Sequence, residues 1–258
     1  MAVIAQPGST GVSETASQRQ QQFVSALAAL LGDVRYIQLP GAGETTSSTD
    51  KSLYGRTITQ VTSGQTQQGY GYTKTYDHVN VSGSAPDSAT LTFTSGALSI
   101  VVLANITDTA AARVMLAKWA TNQREYMFQI TAADKLSFDL YMESTDKRPF
   151  RLSDSAITQG ALTLFAGTCA DVAGAATAAN GITLYQNGIV IASTATNDAA
   201  YVTMEDTTSA LAIGNDGISD PPLMQGQLGL IAITAKSLSA SDHWAIKELV
   251  NSYYGLSL

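Results

Sequence analysis

Apolar and polar residues alternate with a period of two through much of the chain. Leu136, Phe138, Leu140 and Met142 are interleaved with Ser137, Asp139, Tyr141 and Glu143, as expected of a strand with one buried and one wet face. The same rhythm appears in Tyr126, Phe128 and Ile130, in Leu91 and Phe93, and in Leu162 and Leu164. Residues 97–103 and 112–116 are more continuous, which suits strands covered on both sides. Clusters of Ser, Thr, Gly, Asn and Asp separate these runs at short intervals. Many short strands with regular turn punctuation predict an all-β fold, an antiparallel sandwich or jelly roll. A parallel βαβ arrangement is disfavoured because the crossover helices are missing.

The sharpest local signal is Asn187-Gly188, between the apolar runs 181–186 and 189–193. A type I′ turn needs positive φ at both central residues, and Asn-Gly tolerates this best. The two-residue loop pairs Gln186 with Ile189 and Leu184 with Ile191. It thereby puts Ile182, Leu184, Ile189 and Ile191 on one face. Two segments break the strand rhythm. Ser239 with Asp242 three residues on predicts a capped helix in which Ile246, Leu249, Val250 and Tyr253 share a stripe, with Gly255 as its stop. That helix is expected to close an end of the core. Near the start, Ser13 is placed to cap a helix running to about Leu31, with Gly32 just beyond. Its apolar residues Phe23, Val24, Leu27, Leu30 and Leu31 fall in the second half. Residues 1–33 are therefore expected to be an interaction arm and 34–258 the sandwich, with the arm's stripe buried against a neighbouring subunit or the surface of a larger particle.

With 258 residues, 45% of them hydrophobic and 14% charged, the chain is long enough to bury a full core. A net charge of −7 without a Lys/Arg cluster argues against a nucleic-acid surface. Cys169 is the lone cysteine and is expected to be a buried, inert thiol. The first residues lack a basic n-region, and no run reaches membrane-spanning length. The expectation is a soluble protein made in the cytoplasm and not exported through a signal peptide, with no membrane partner.

The order of motifs in the last third, Leu184-Tyr185-Gln186-Asn187-Gly188, then Leu211-Ala212-Ile213-Gly214, then 225–233 and a capped helix, resembles the concanavalin A-like lectin/glucanase domains of the laminin-G-like type. Asp50-Lys51-Ser52-Leu53-Tyr54-Gly55 is similar to the opening of such domains, and Tyr76-Asp77-His78-Val79-Asn80-Val81 to one of their strands. Lys118-Trp119 with Arg124–Ile130 is similar to a hairpin of the family. The resemblance covers about residues 34–258 and implies the same jelly roll. His78 and Asn80 depart from the family pattern and weaken the cation site it implies at Asp77, Asn80 and Asp216.

Three functions compete. Glucanases of this type carry an E-x-D-x-E strand, and none of Glu14, Glu44, Glu125, Glu143, Glu205 and Glu248 begins one. Asp139 and Glu143 share a predicted strand face, but four strand residues span roughly 13 Å, beyond the retaining and inverting geometries. Zinc motifs are missing, so catalysis is not expected. A lectin needs aromatic faces and fixed polar groups, and Tyr70, Tyr72 and Tyr76 alternate as if on one strand. Asp206, Asn215, Asp216 and Asp220 supply loop oxygens for a Ca²⁺ ion, although Asp and Asn in loops more often shape turns. The third reading is a non-catalytic structural protein of a tailed bacteriophage virion, a capsid decoration or a tail or fibre component. The resemblance there is compositional: abundant Ala, Ser, Thr and Gly, and an arm attached to a jelly roll. It implies a homo-oligomer docked on a major capsid or tail protein in the virion, with glycans as further contacts. The alternative is the carbohydrate-binding, lectin-like module of a bacterial protein.

Overall fold

The structure, a computed structural model, describes residues 16–39, 47–49, 51–55, 57–59, 67–70, 73–77, 81–85, 90–107, 110–214 and 226–258. Two antiparallel sheets face each other. The eight-stranded sheet runs, in spatial order, Ile189–Val190, Ile182–Gln186, Leu162–Cys169, Leu98–Ile106, Gly226–Thr234, Thr73–Asp77 and Gln67–Tyr70, and Val34–Gln38 also pairs with Gly226–Thr234. The seven-stranded sheet runs Ser193–Thr196, Phe150–Ser153, Leu136–Leu140, Gln123–Ile130, Arg113–Ala120, Leu211–Ile213 and Val81–Ala85. Every pairing among the described strands is antiparallel, so the sandwich expected from the alternation is the fold.

Alternation decides which side chains meet between the sheets. Ile100, Val102, Phe165, Leu184 and Ile233 from one sheet share a core with Leu116, Tyr126, Phe128, Phe138 and Leu140 from the other. The sheets approach closely at Gly167, where a Cβ would lie 2.7 Å from the Phe138 ring and 3.1 Å from Phe128. Cys169 is buried in this core, where desolvation pushes its thiol up to about 12 and keeps it inert.

A second core lies on the other face of the eight-stranded sheet. Helix α1 (Ala16–Leu31) and helix α2 (Ala240–Tyr254) lie over Val101, Leu103, Leu164, Ala166, Tyr185, Leu230 and Ala232. This double coverage explains why 97–103 reads as continuously apolar. Phe23, Leu27 and Leu31 are at most 3% exposed, Val24 and Leu30 pack beside them, and the Phe23 ring stacks on Tyr253 with centroids 4.1 Å apart. The expected interaction arm is thereby corrected. The stripe on α1 is consumed inside the chain, because an eight-stranded sheet with an apolar outer face must be covered, and α2 alone does not cover it. The expected role of α2 is corrected as well: it covers a sheet face and does not close an end of the core. The expected cap Ser13 lies outside the described residues.

Local signals at α2 and the hairpin act as the sequence indicates. Ser239 Oγ accepts from the Asp242 N–H at 3.2 Å while Asp242 Oδ2 accepts from the Ser239 N–H at 2.8 Å, a complete capping box. Asn187 and Gly188 take φ of 51° and 75°, Gln186 pairs with Ile189, and the Ile191 N–H donates to the Leu184 carbonyl at 3.0 Å. The turn is fixed further by Asn187 Oδ1, which accepts from the Leu164 N–H at 2.9 Å. Ile189 departs from its expected buried face. It belongs to the sheet's edge strand, at the hairpin tip, and is 59% exposed.

His243 anchors α2 to the sheet. Its Nε2 lies 3.0 Å from Thr168 Oγ1, its ring is 3.8 Å from that of Tyr185, and Thr168 continues to Ser99 Oγ at 2.9 Å. Ser99 in turn donates to the Lys236 carbonyl at 2.7 Å. Burial pulls the imidazole down to about 4, against a weaker upward pull from Asp242.

Candidate functional site

No described helix covers the outer face of the seven-stranded sheet. Residues one step out of phase with the core project there: Ser137, Asp139 and Tyr141 from one strand and its continuation, Met127 and Gln129 from the next, Val114, Ala117 and Trp119 from the third. Val114, Ala117, Trp119, Met127 and Tyr141 form an apolar cluster separate from the central core. The Trp119 and Tyr141 rings meet edge to face at 4.9 Å.

Two arginines crown this cluster. Arg124 pairs with Trp119 across the ladder and lays its guanidinium over Tyr141, 4.0 Å from the ring centroid. Its Nε and Nη2 donate to Glu143 at 2.8 and 2.9 Å, its backbone N–H donates to the same carboxylate at 2.9 Å, and Nη2 lies 3.3 Å from Asp146. Tyr141 also donates its hydroxyl to Asp146. These bonds hold the Glu143 carboxyl below the usual range. Arg148 lies 5.7 Å from the Trp119 ring and 5.9 Å from Phe150, and its Nη2 approaches Asp139 Oδ1 at 3.3 Å. The Asp139 side chain is fully buried beneath it and accepts from Gln129 Nε2 at 3.0 Å and from Ser137 Oγ at 3.2 Å. Burial raises the Asp139 carboxyl, against the pull of Arg148, Gln129 and Ser137.

The two carboxylates weighed as a catalytic pair do not share a strand. Asp139 sits in Leu136–Leu140, whereas Glu143 opens the 3₁₀ turn Glu143–Thr145. The strand stops because the chain bridges back from Met142 to Lys147, so the expected common strand face does not exist. Glu143 is committed to Arg124 and Asp139 is out of reach of solvent, which leaves neither placed for proton transfer to an external molecule.

A different charged pair is turned inward. A register shift between Lys118 and Trp119 carries Glu125 to the core side, where its Oε1 lies 2.5 Å from Lys118 Nζ with both side chains at 0% exposure. Glu125 also accepts from the Thr207 N–H at 3.0 Å and the Thr207 hydroxyl at 2.7 Å, and Lys118 donates to Thr92 at 2.7 Å. The pair pins two loop segments over the sandwich and is sealed from solvent.

The sequence-derived sugar and metal positions fare differently. Tyr70 lies opposite Thr73, and Tyr76 lies opposite Gln67, so the chain reverses between Tyr70 and Thr73. Tyr70 and Tyr76 therefore belong to two paired antiparallel strands and not to one, which corrects the expected alternating row. Tyr72, Asn80, Asn215, Asp216 and Asp220 lie outside the described residues. Asp77 pairs with Gln227 in the eight-stranded sheet, away from Asp206, which accepts from Thr92 at 3.3 Å. Among the described residues, no three His, Cys, Asp or Glu side chains gather as a metal ion would require. Trp119, Arg124, Asp139, Tyr141 and Arg148 were the residues to find. Period-two phasing puts Asp139 with Tyr141, but only the observed register brings Trp119 and both arginines beside them.

The family model described as the concanavalin A-like lectin/glucanases superfamily, of the laminin-G type, matches residues 73–242. The chain belongs to this superfamily. Solved structures share the lectin-like fold at low identity. The ligand-binding domain of botulinum neurotoxin serotype D, in complex with N-acetylneuraminic acid, is 16% identical, with a TM-score of 0.57 over 90% of this chain and 56% of that one. The sialidase CBM40 of Ruminococcus gnavus, bound to α2,3-sialyllactose, is 16% identical, with a TM-score of 0.50 over 72% of this chain and 97% of that one. The binding domain of Paraclostridial Mosquitocidal Protein 1 is 14% identical, with a TM-score of 0.60 over 87% and 53%. This concanavalin A-like chain thus spans little more than half of each toxin domain and nearly the whole of the CBM40. No curated protein matches it.

Proposed function

We propose that the protein is a non-catalytic carbohydrate-binding module that holds its glycan on the outer face of the seven-stranded sheet. The observation that carries this reading is the half-exposed guanidinium of Arg148, held above the buried cluster of Trp119 and Tyr141 and beside the part-exposed Phe150 ring, on the sandwich face that no described helix covers. Apolar ring edges beside fixed, directional donors are the combination that sugar recognition uses. Membership of the lectin/glucanase superfamily supports the reading, as do the sialic acid ligands bound in two structures of similar fold. The virion-structural alternative drew on an N-terminal arm with a free apolar stripe, and that stripe is buried within the chain.

The two tryptophans provide the test. Trp119 sits in the proposed site, and Trp244 sits on α2 beyond the opposite sheet. In an NMR titration of the ¹⁵N-labelled full chain with a glycan panel, a binding sugar is expected to shift the Trp119 indole N–H and leave that of Trp244 in place. Absence of binding across neutral and acidic glycans, or a shift confined to Trp244, refutes the reading.

A further inference from the structure

Resting on that reading, we propose that the site selects sugars bearing a carboxylate, and that Arg148 is the residue that reads it. The two arginines on the face are not equivalent. Arg124 is spent internally: Glu143 takes a bidentate pair from it, Asp146 takes a third contact, and its side chain is 24% exposed. Arg148 is 43% exposed and, among the described residues, makes one ionic contact, from Nη2 to Asp139. A guanidinium offers five N–H donors in a rigid plane, so one edge can stay on Asp139 while the other pairs two parallel N–H donors with an external carboxylate.

The residues beneath Arg148 suit it to this task. Asp139 orients the guanidinium from below, and Gln129 and Ser137 occupy the Asp139 oxygens as well. The buried carboxylate is therefore not abandoned when Arg148 turns part of its charge to a ligand, and the heavy penalty for an uncompensated buried charge is avoided. The part-exposed Phe150 ring flanks the guanidinium at 5.9 Å and supplies an apolar wall for a pyranose ring or its substituents, while Trp119 supports the guanidinium from the buried side at 5.7 Å. Asp139 is thus a positioning residue and Arg148 the specificity-determining one. A neutral glycan keeps the contact with Phe150 and loses the ionic pair.

The test compares α2,3-sialyllactose, its methyl ester and lactose on the full chain by calorimetric titration. Wild type is expected to bind sialyllactose at least about tenfold more tightly than either the ester or lactose, the worth of one bidentate ion pair. Arg148→Lys keeps a cation over Asp139 but lacks the fork, and is expected to narrow the preference for sialyllactose over its ester to about threefold or less. A wild type that binds none of the three overturns this proposal, and the carbohydrate reading falls with it only if the glycan panel is silent as well. Equal affinity for sialyllactose and its ester, or an undiminished preference in Arg148→Lys, overturns the proposal and leaves the carbohydrate reading standing. Should Arg148→Lys fail to fold, the ester comparison on wild type decides alone.

Discussion

The buried histidine yields a prediction whose size follows from its surroundings. His243 has an ordinary pKa near 6.5 in the unfolded chain and about 4 in the fold, because burial against Thr168 and Tyr185 disfavours the imidazolium. Above pH 6.5 the ring is neutral in both states and its contribution to stability is complete. As the pH falls from 6.5 towards 4, the unfolded chain takes up a proton that the native state refuses, and stability is lost at about 1.4 kcal/mol per pH unit. Between pH 7 and pH 4 the loss assigned to this residue is about 3 kcal/mol, a large share of an ordinary domain's stability. Other groups titrate in the same range. Asp139 and Glu125, both raised by burial, act in the opposite direction. The measurement must therefore be a difference. Urea unfolding of wild type and His243→Gln, followed by circular dichroism at pH 7, 5.5 and 4, isolates it, because Gln can still hydrogen-bond Thr168 but cannot titrate. The variant is expected to be less stable than wild type at pH 7 and to lose about 3 kcal/mol less on acidification. Parallel stability curves for the two proteins, or a His243 ring that titrates near pH 6.5 by NMR, would falsify the assignment of this ring as a buried neutral anchor.

Three further outcomes follow from packing and chemistry. Gly188→Val is expected to destabilise the domain by about 1–3 kcal/mol through positive φ alone. The added Cβ would also lie 3.1 Å from the His243 carbonyl, so an unchanged melting temperature contradicts both hairpin and helix placement. Lys118→Met strands Glu125 in the core at an expected cost of about 3–5 kcal/mol, recovered in large part by adding Glu125→Leu; a single-variant cost below about 1 kcal/mol in denaturant titration is incompatible with a sealed pair. Deleting residues 1–31 strips Phe23, Leu27 and Leu31 from the outer face of the eight-stranded sheet and is expected to give an aggregating or partly unfolded product. A monodisperse, cooperatively melting truncation by light scattering and calorimetry speaks for a dispensable arm.

The parts legible in the sequence were those fixed over a few residues. Asn187-Gly188 and the Ser239/Asp242 box each act through their own backbone, so their geometry is written locally. Strand phase was legible wherever one face alone is apolar, as in 136–140. What covers an apolar face was not legible, because periodicity records that α1 has a stripe but not which surface receives it. The inward turn of Glu125 depends on a one-residue shift in register that no propensity announces. The expected tyrosine row misled because Tyr70 and Tyr76 fall on two strands that pair with each other, although the period-two rhythm runs on through both. The pairing of Arg148 with Asp139 was hidden for a related reason, since it spans a 3₁₀ turn and a strand reversal.

The placement of α1 also sets the order in which the chain can be completed as it is synthesised. The helix and the strand Val34–Gln38 that follows it are made well before their partners, Gly226–Thr234 and α2. Until those last elements leave the ribosome, Phe23, Leu27 and Leu31 lack α2 and the central strand they pack on, and the closing contacts bridge about two hundred residues. Such non-local closure slows folding and lengthens the interval in which sticky surface is open to the solvent. A pause or truncation of translation ahead of residue 226 therefore leaves a nascent sandwich with one sheet unroofed, a natural client for a ribosome-associated chaperone.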